Sequence, residues 1–211
     1  HPLCRRQRQM CIRDRISGGG VFYSDAMEDL SNFAIKHNIP VTQTVMGYST
    51  MKRDHSHFLG PIGGLGGKAA NNLAKQTDLA IAVGTKLADF TTGSWANFEN
   101  PDFSLVSVNV SRFDASKHLA QSVIGDAKVS LQELSNALGD WKAPDEWHKK
   151  SRDELKNWND YVDKESGPTN QELPSYAHAV GAIYRNSDPT DIAVTALSLI
   201  HISEPTRRYN I

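Results

Sequence analysis

The sequence predicts an α/β fold built on a doubly wound parallel sheet, and three observations carry that expectation. Short apolar or β-branched runs (Ile39 to Thr44, Leu79 to Val83, Leu105 to Val110) alternate with stretches of helical period, the pattern of successive βαβ units. Glycine clusters (Gly18 to Gly20; Gly60, Gly63, Gly64, Gly66 and Gly67) fall where such units change from one element to the next. The run Leu79 to Val83 ends on Gly84 and opens into a polar loop, the position at which open α/β sheets hold ligands.

The elements follow in order. Gly18-Gly19-Gly20 reads as a tight loop of the kind that follows a strand, but the segment ahead of it, Met10 to Ile16, carries three charges in seven residues. Strands at the centre of a parallel sheet are buried on both faces and read as continuous apolar runs. Ser24 or Asp25 can cap a helix running to about Lys36, with Met27, Leu30, Phe33 and Ala34 on one face. Ile39 to Thr44 reads as a buried strand, whereas His55 to Gly60 does not have a strand pattern. The small residues from Lys68 to Lys75 form a helix, Leu79 to Val83 a strand, and Asp89 to Ser94 a polar loop. Leu105 to Val110 and the shorter Ser122 to Ile124 are strands. Ala127 to Leu138 is a helix with Val129, Leu131, Leu134 and Leu138 on its apolar side. Composition changes after Gly139: Pro144 to Lys164 reads as a surface helix joining two domains, Pro168 and Pro174 bracket a linker, Tyr176 to Tyr184 is a helix, and Ile192 to Thr195 begins a strand.

Three features could carry chemistry. Gly64-Leu65-Gly66-Gly67-Lys68-Ala69 fits G-x-G-x-x-A, a dinucleotide fingerprint when it follows the first strand of a βαβ unit. Its glycines would let a backbone approach a diphosphate, with a helix start behind them; equally, they let the helix pack closely on the sheet. Asp89 to Ser94, leaving the strand through Gly84, Thr85 and Lys86, offers hydroxyls to a phosphate and a carboxylate to a ribose, or satisfies its own turns. His55 and His57 have a spacing that a metal could use, but lie in a polar loop without a third partner, and read as a solvated turn. No G-x-S-x-G motif is present, so no catalytic side chain is assigned.

These segments also resemble a family. Leu59 to Phe98 is similar to the middle domain of thiamine-diphosphate-dependent enzymes, and DFTTGSWANFENPD (Asp89 to Asp102), SVNVSRFDASKH (Ser107 to His118) and GPTNQELPSYAHAVGAIYR (Gly167 to Arg185) resemble the trihydroxycyclohexane-1,2-dione hydrolases within it. The resemblance covers roughly Ser17 to Ala196. It implies a parent enzyme that uses thiamine diphosphate and magnesium to open a cyclic 1,2-diketone of inositol degradation, in the cytoplasm and as a homo-oligomer, dimer or tetramer. In flavin-containing relatives the glycine run and the segment after Gly84 lie near FAD, which makes Gly64, Gly66, Gly67, Gly84, Thr85, Lys86 and Asp89 a vestigial nucleotide site. Those relatives carry Arg-Phe-Asp-Asp-Arg where this chain has Lys86-Leu87-Ala88-Asp89-Phe90, so FAD binding is doubtful. The family holds thiamine diphosphate and Mg²⁺ through Gly-Asp-Gly…Asn in its last domain. Here Gly125-Asp126-Ala127 and Gly139-Asp140-Trp141 do not match, and the activating glutamate belongs to a first domain that this chain lacks. The chain is therefore expected to be a structural or assembly domain, with the missing domains of the same polypeptide as partners. The alternative is a stand-alone FAD- or ADP-binding module.

Both ends resemble translated sequencing-adapter DNA: RRQRQMCIRDR at Arg5 to Arg15 and LSLIHISEPTR at Leu197 to Arg207. The expected organisation is a foreign leader (1–15), the central domain (16–140), a helical linker (141–175), the start of the cofactor domain (176–196) and a foreign tail (197–211). The ends hold five Arg and one Asp, and two Arg and one Glu, of the chain's 23 basic and 24 acidic residues; 16 basic and 22 acidic remain between them. That acidic balance argues against nucleic acid. Both cysteines, Cys4 and Cys11, lie in the leader, so the remainder has no thiolate chemistry. No apolar stretch reaches the ~20 residues a membrane helix needs.

Overall fold

Alternation between the two faces of one sheet organises the chain. The computed structural model describes residues 13–188 and 191. These divide into two compact units, one ending at Val162 and one beginning at Asp163. The first unit holds six parallel strands: β1 (Arg13–Ser17), β2 (Val41–Gln43), β3 (Phe58–Pro61), β4 (Leu79–Val83), β5 (Ser104–Asn109) and β6 (Gln121–Ile124). Their order is β3-β2-β1-β4-β5-β6, so the winding reverses between β1 and β4. The helices are α1 (Gly19–Tyr23), α2 (Met27–His37), α3 (Lys68–Ala74), α4 (Asp89–Thr92), α5 (Arg112–Ala115), α6 (Ala127–Leu138) and α7 (Asp145–Glu165). The α/β doubly wound expectation is met.

β4 shows how the layers form. Ile81 and Val83 point into a core with Leu30, Phe33, Ile39, Val41 and Leu131, under α2 and α6. Ala80 and Ala82 point the other way, onto Ala69, Ala70 and Leu73 of α3 and Trp147 and Leu155 of α7. Small residues on that face let α3 lie close to the sheet. α6 begins at Asp126, whose Oδ1 accepts hydrogen bonds from the N–H groups of Lys128 and Val129 at 2.9 and 3.2 Å. α2 ends on Asn38 in the left-handed region (φ 54°), a residue that tolerates it.

Several local readings are corrected. Phe58–Pro61 is a strand, four residues long and at the sheet edge, with Gly60 at φ +101°; an edge strand that short has too few residues to show a period. The helix expected from Ser24 or Asp25 begins at Met27, because Asp25 takes φ +50°, and the glycine segment read as a tight loop is helical from Gly19 to Tyr23. Asp89 to Thr92 is a helical turn rather than a loop.

β1 is the anomaly. It pairs with β2 and β4 on its two sides, with Arg15 opposite both Val41 and Ile81. Asp14 and Arg15 are both buried, and as neighbours on a strand they face opposite sides of the sheet, so they do not pair with each other. The Asp14 carboxylate accepts a hydrogen bond from Trp147 Nε1 at 3.1 Å. Arg15 lies over the Phe33 ring, 3.0 Å from its centroid, and none of its three guanidinium nitrogens has a hydrogen-bond partner among the described residues. Burial drives both toward their neutral forms: Asp14 is pushed up to about 7 and Arg15 well below its ordinary value.

The second unit contains α8 (Tyr176–Asn186). It opens on a capping box in which Ser175 Oγ accepts from the His178 N–H and the Ser175 N–H donates to His178 Nδ1. The strand expected at Ile192 to Thr195 lies outside the described residues, as do residues 1–12 and the tail from 197.

Candidate functional site

The carboxyl ends of the strands bring most of the expected residues together, and they use each other's hydrogen bonds. At the β1–β4 switch point the Gly18 N–H donates to the Val83 carbonyl and the Gly20 N–H to the Gly84 carbonyl, both at 2.9 Å. Gly84 has φ +62°, and a Cβ there would stand 2.6 Å from the Gly20 Cα. The two backbones are thus in direct contact where a nucleotide would enter such a crevice.

The glycine run after β3 is closed in the same way. The Gly63 N–H donates to Asn71 Oδ1 at 3.0 Å and the Gly64 N–H to the Phe90 carbonyl at 2.7 Å. The Gly66 and Gly67 N–H groups donate to the carbonyls of Gly63 and Pro61, each at 2.9 Å. Asn71 returns a bond from its Nδ2 to the Gly63 carbonyl and accepts another from Asn97. β3 and β4 are separated in the sheet by β2 and β1, so the Gly64–Phe90 bond means that the segment leaving β4 reaches across to the glycine run. A diphosphate is held by free N–H donors, and those of Gly63, Gly64, Gly66 and Gly67 are already spent.

Thr85, Lys86 and Asp89 line the segment that makes the crossing. Thr85 is buried, with its Oγ1 accepting from the Leu87 N–H at 3.3 Å and its carbonyl from Asn109 Nδ2 at 3.0 Å. Leu87 is buried at φ +48°. Lys86 and Asp89 are exposed. Asn71 was not legible as a site residue: it sits among alanines in a short helix, and its role as a clamp needs the folded loop.

The histidine pair departs from the expectation of a solvated turn. His57 is buried, stacked on His148 at 4.3 Å between ring centroids, with Nε2 on Asn38 Oδ1 at 3.2 Å. Desolvation, then the His148 and His55 rings, hold His57 down at about 4. Among the described residues no group of three or more His, Cys, Asp or Glu side chains is placed to hold a metal ion. A cleft of about 470 Å³ lies beside the edge strand, lined by Tyr48, Lys52, Arg53, Phe58, Gly67 and Trp158 among others. Of the expected nucleotide residues, Gly67 alone lines it.

The two Gly-Asp pairs flank α6. The Asp126 side chain caps α6, and Gly139 ends that helix at φ +57° with Asp140 exposed beyond it. Among the described residues no helix is long and apolar enough to cross a membrane.

Comparison with known proteins places this architecture. Residues 16–134 match the family model described as "Thiamine pyrophosphate enzyme, central domain". A 3D-(3,5/4)-trihydroxycyclohexane-1,2-dione hydrolase of Clostridium perfringens is 50% identical over 123 residues, 58% of this chain and 19% of the relative. The enzyme of the same name from Clostridium tetani is 42% identical over 158 residues, 70% of this chain and 24% of the relative. That of Geobacillus thermodenitrificans is 36% identical over 206 residues, 86% of this chain and 32% of the relative. The chain therefore spans between a fifth and a third of the length of these relatives.

Proposed function

Because the chain belongs to the thiamine pyrophosphate enzyme family, of which it carries the central domain, we propose that its parent is a hydrolase that opens the ring of 3D-trihydroxycyclohexane-1,2-dione in inositol degradation. The observation that carries this reading is the 50% identity to a hydrolase of that name, which falls in a chain whose family match covers the six-stranded unit. Within the parent this domain supplies architecture. Its Gly-Asp pairs are engaged in helix capping and termination, so the described residues do not fit the thiamine diphosphate and magnesium that the whole enzyme requires, and no step of the reaction is assigned to them. The cofactor, held elsewhere in the parent, supplies the electron sink for C–C cleavage. Remaining parts of the polypeptide are the domain's partners, and the parent is a cytoplasmic homo-oligomer.

Gly64, Gly66, Gly67, Gly84, Thr85, Lys86 and Asp89 are, on this reading, what remains of a nucleotide site whose donors have turned inward. FAD does not fit it while Gly63, Gly64, Gly66 and Gly67 donate internally. Residues 1–15 and 197–211 are foreign to the parent, a reading supported by the two buried charges that β1 sets into the sheet centre.

Isothermal titration of the whole chain tests the assignment. Thiamine diphosphate with Mg²⁺, FAD and ADP are each expected to give no saturable heat. Micromolar affinity for thiamine diphosphate would show that Asp126 or Asp140 has been misassigned, and micromolar affinity for ADP would show that the glycine run is a working site.

A further inference from the structure

The cleft beside the edge strand has the open groups that the glycine run lacks. β3 has a neighbour strand on one side only, and the cleft of about 470 Å³ is lined by β3, by the segment that leaves β2 and by α7. Phe58, Leu59 and Leu155 are buried and give it apolar walls, to which Tyr48 and Trp158 add aromatic rings with polar tips. Gly67 makes room for the indole. Its backbone is ordinary (φ −78°, ψ 150°), but a Cβ there would stand 2.8 Å from Trp158 Nε1. The last glycine of the dinucleotide fingerprint is therefore required by a tryptophan. Lys52 and Arg53 line the same cleft, and neither forms an ion pair among the described residues. No carboxylate lines it.

Gln43 is the residue that makes the cleft a site. It is 3% exposed at the end of β2 and lines the cleft. Its Nε2 donates to the Met51 carbonyl at 2.8 Å, and because a carbonyl only accepts, that bond fixes which way the amide points. The Oε1 is then an acceptor with no donor among the described residues, and it is not sealed from solvent. Trp158 Nε1 likewise donates to no group among them. A mostly apolar cleft with a few such open polar groups is how small molecules are held and oriented. Two cations without a carboxylate call for an anion. Five neutral hydrogen-bonding side chains line the cleft as well (Gln43, Tyr48, Ser49, Trp158 and Asn159), more than an anion without hydroxyls can use. A phosphate would call for backbone donors, and the N–H groups of Gly66 and Gly67 are spent, whereas the Arg53 fork suits a carboxylate. We propose that the cleft binds a small hydroxylated carboxylate, its carboxylate at Lys52 and Arg53 and one hydroxyl donating to Gln43 Oε1.

Isothermal titration of the whole chain with D-glucuronate tests this, with D-glucose, benzoate and inorganic phosphate as comparisons. D-glucuronate is expected to give saturable heat with a Kd of about 1 mM or tighter, and the other three to bind at least about tenfold more weakly. Replacing both cations (Lys52→Gln with Arg53→Gln) is expected to weaken D-glucuronate about tenfold or more. Both side chains are exposed, so the melting curve of that variant should match the wild type. Trp158→Phe keeps an aromatic wall and removes the N–H, and is expected to weaken binding about two- to tenfold. Equal affinity for D-glucose would show that the charge is not read, and equal affinity for benzoate that the hydroxyls are not. Phosphate binding as tightly as D-glucuronate would make the site one for any anion. Each of these results would overturn the proposal, as would affinity unchanged by the Lys52 and Arg53 substitutions. So would the absence of saturable heat both in the whole chain and in its Arg15→Leu variant, in which the unpaired buried guanidinium is removed.

Discussion

Arg15 is the residue at which local sequence and global fold disagree most. It occupies the centre of the sheet between Val41 and Ile81, with its guanidinium against Phe33 and no hydrogen-bond acceptor among the described residues. Leaving a charged group buried without a partner costs on the order of 3–5 kcal/mol, and a desolvated cation–π contact returns about 2. Total domain stability is about 5–15 kcal/mol, so this one side chain removes a large share of it. Arg15→Leu is therefore expected to raise the melting temperature by on the order of 5 °C or more, measured by circular dichroism; an unchanged or lower value would mean that β1 does not hold the place assigned to it. Asp14 acts on pH. Its carboxyl is raised by burial to about 7 from an ordinary 3.8, so it favours the fold below about 4 and that contribution is lost as pH rises through 7. Asp14→Asn keeps an oxygen for Trp147 without the charge. The variant is expected to exceed the wild type in stability most at pH 8, with the gap closing toward pH 4. His57 imposes the opposite slope in both proteins, since a proton acquired as pH falls from 6.5 through about 4 favours the unfolded chain. The difference between the two proteins isolates Asp14, and a gap that does not change with pH would contradict its titration.

At the scale of elements, the central claim about the site depends on the clamp that α3 applies to the glycine run. Asn71 satisfies both the N–H and the carbonyl of Gly63. Asn71→Ala leaves both without that partner and is expected to cost about 1–3 kcal/mol, read as a lower urea midpoint; no change would mean that the loop holds its shape without the clamp. What was legible in the sequence, and what was not, divides along the same line. Leu79 to Val83 and Ala127 to Leu138 announce themselves because a continuous apolar run and a helical period each need only local residues, and both elements have the expected bounds. Phe58–Pro61 is four residues long at the sheet edge and carries no period, so it is visible only through its pairing with β2. His57 reads as a loop residue because what buries it, His148 on α7, is ninety-one positions away in the chain. The glycines from Gly63 to Gly67 follow β3, so their place at a strand end is hidden along with that strand. Their internal bonding partners, Phe90 and Asn71, follow from topology rather than from spacing.

For the whole molecule, the fold and the comparisons lead to one account. A family central domain forms the six-stranded unit, the N–H groups of its glycine run are donated within the chain, and the proposed function assigns the chemistry to the rest of a parent like these relatives, of which the matched segment is between a fifth and a third. The burden of Asp14 and Arg15 falls outside residues 16–138, which is why that segment, rather than the whole chain, is the part to move between proteins. The most direct measurement is hydrolysis of the cyclic diketone by the Clostridium perfringens relative carrying residues 16–138 in place of its own matched segment, with thiamine diphosphate and Mg²⁺ supplied. If this chain is the architectural domain of such a hydrolase, kcat/KM is expected to stay within about tenfold of the unaltered relative, a barrier change of about 1.4 kcal/mol. A graft that folds and assembles, yet fails to open the ring, would contradict the account.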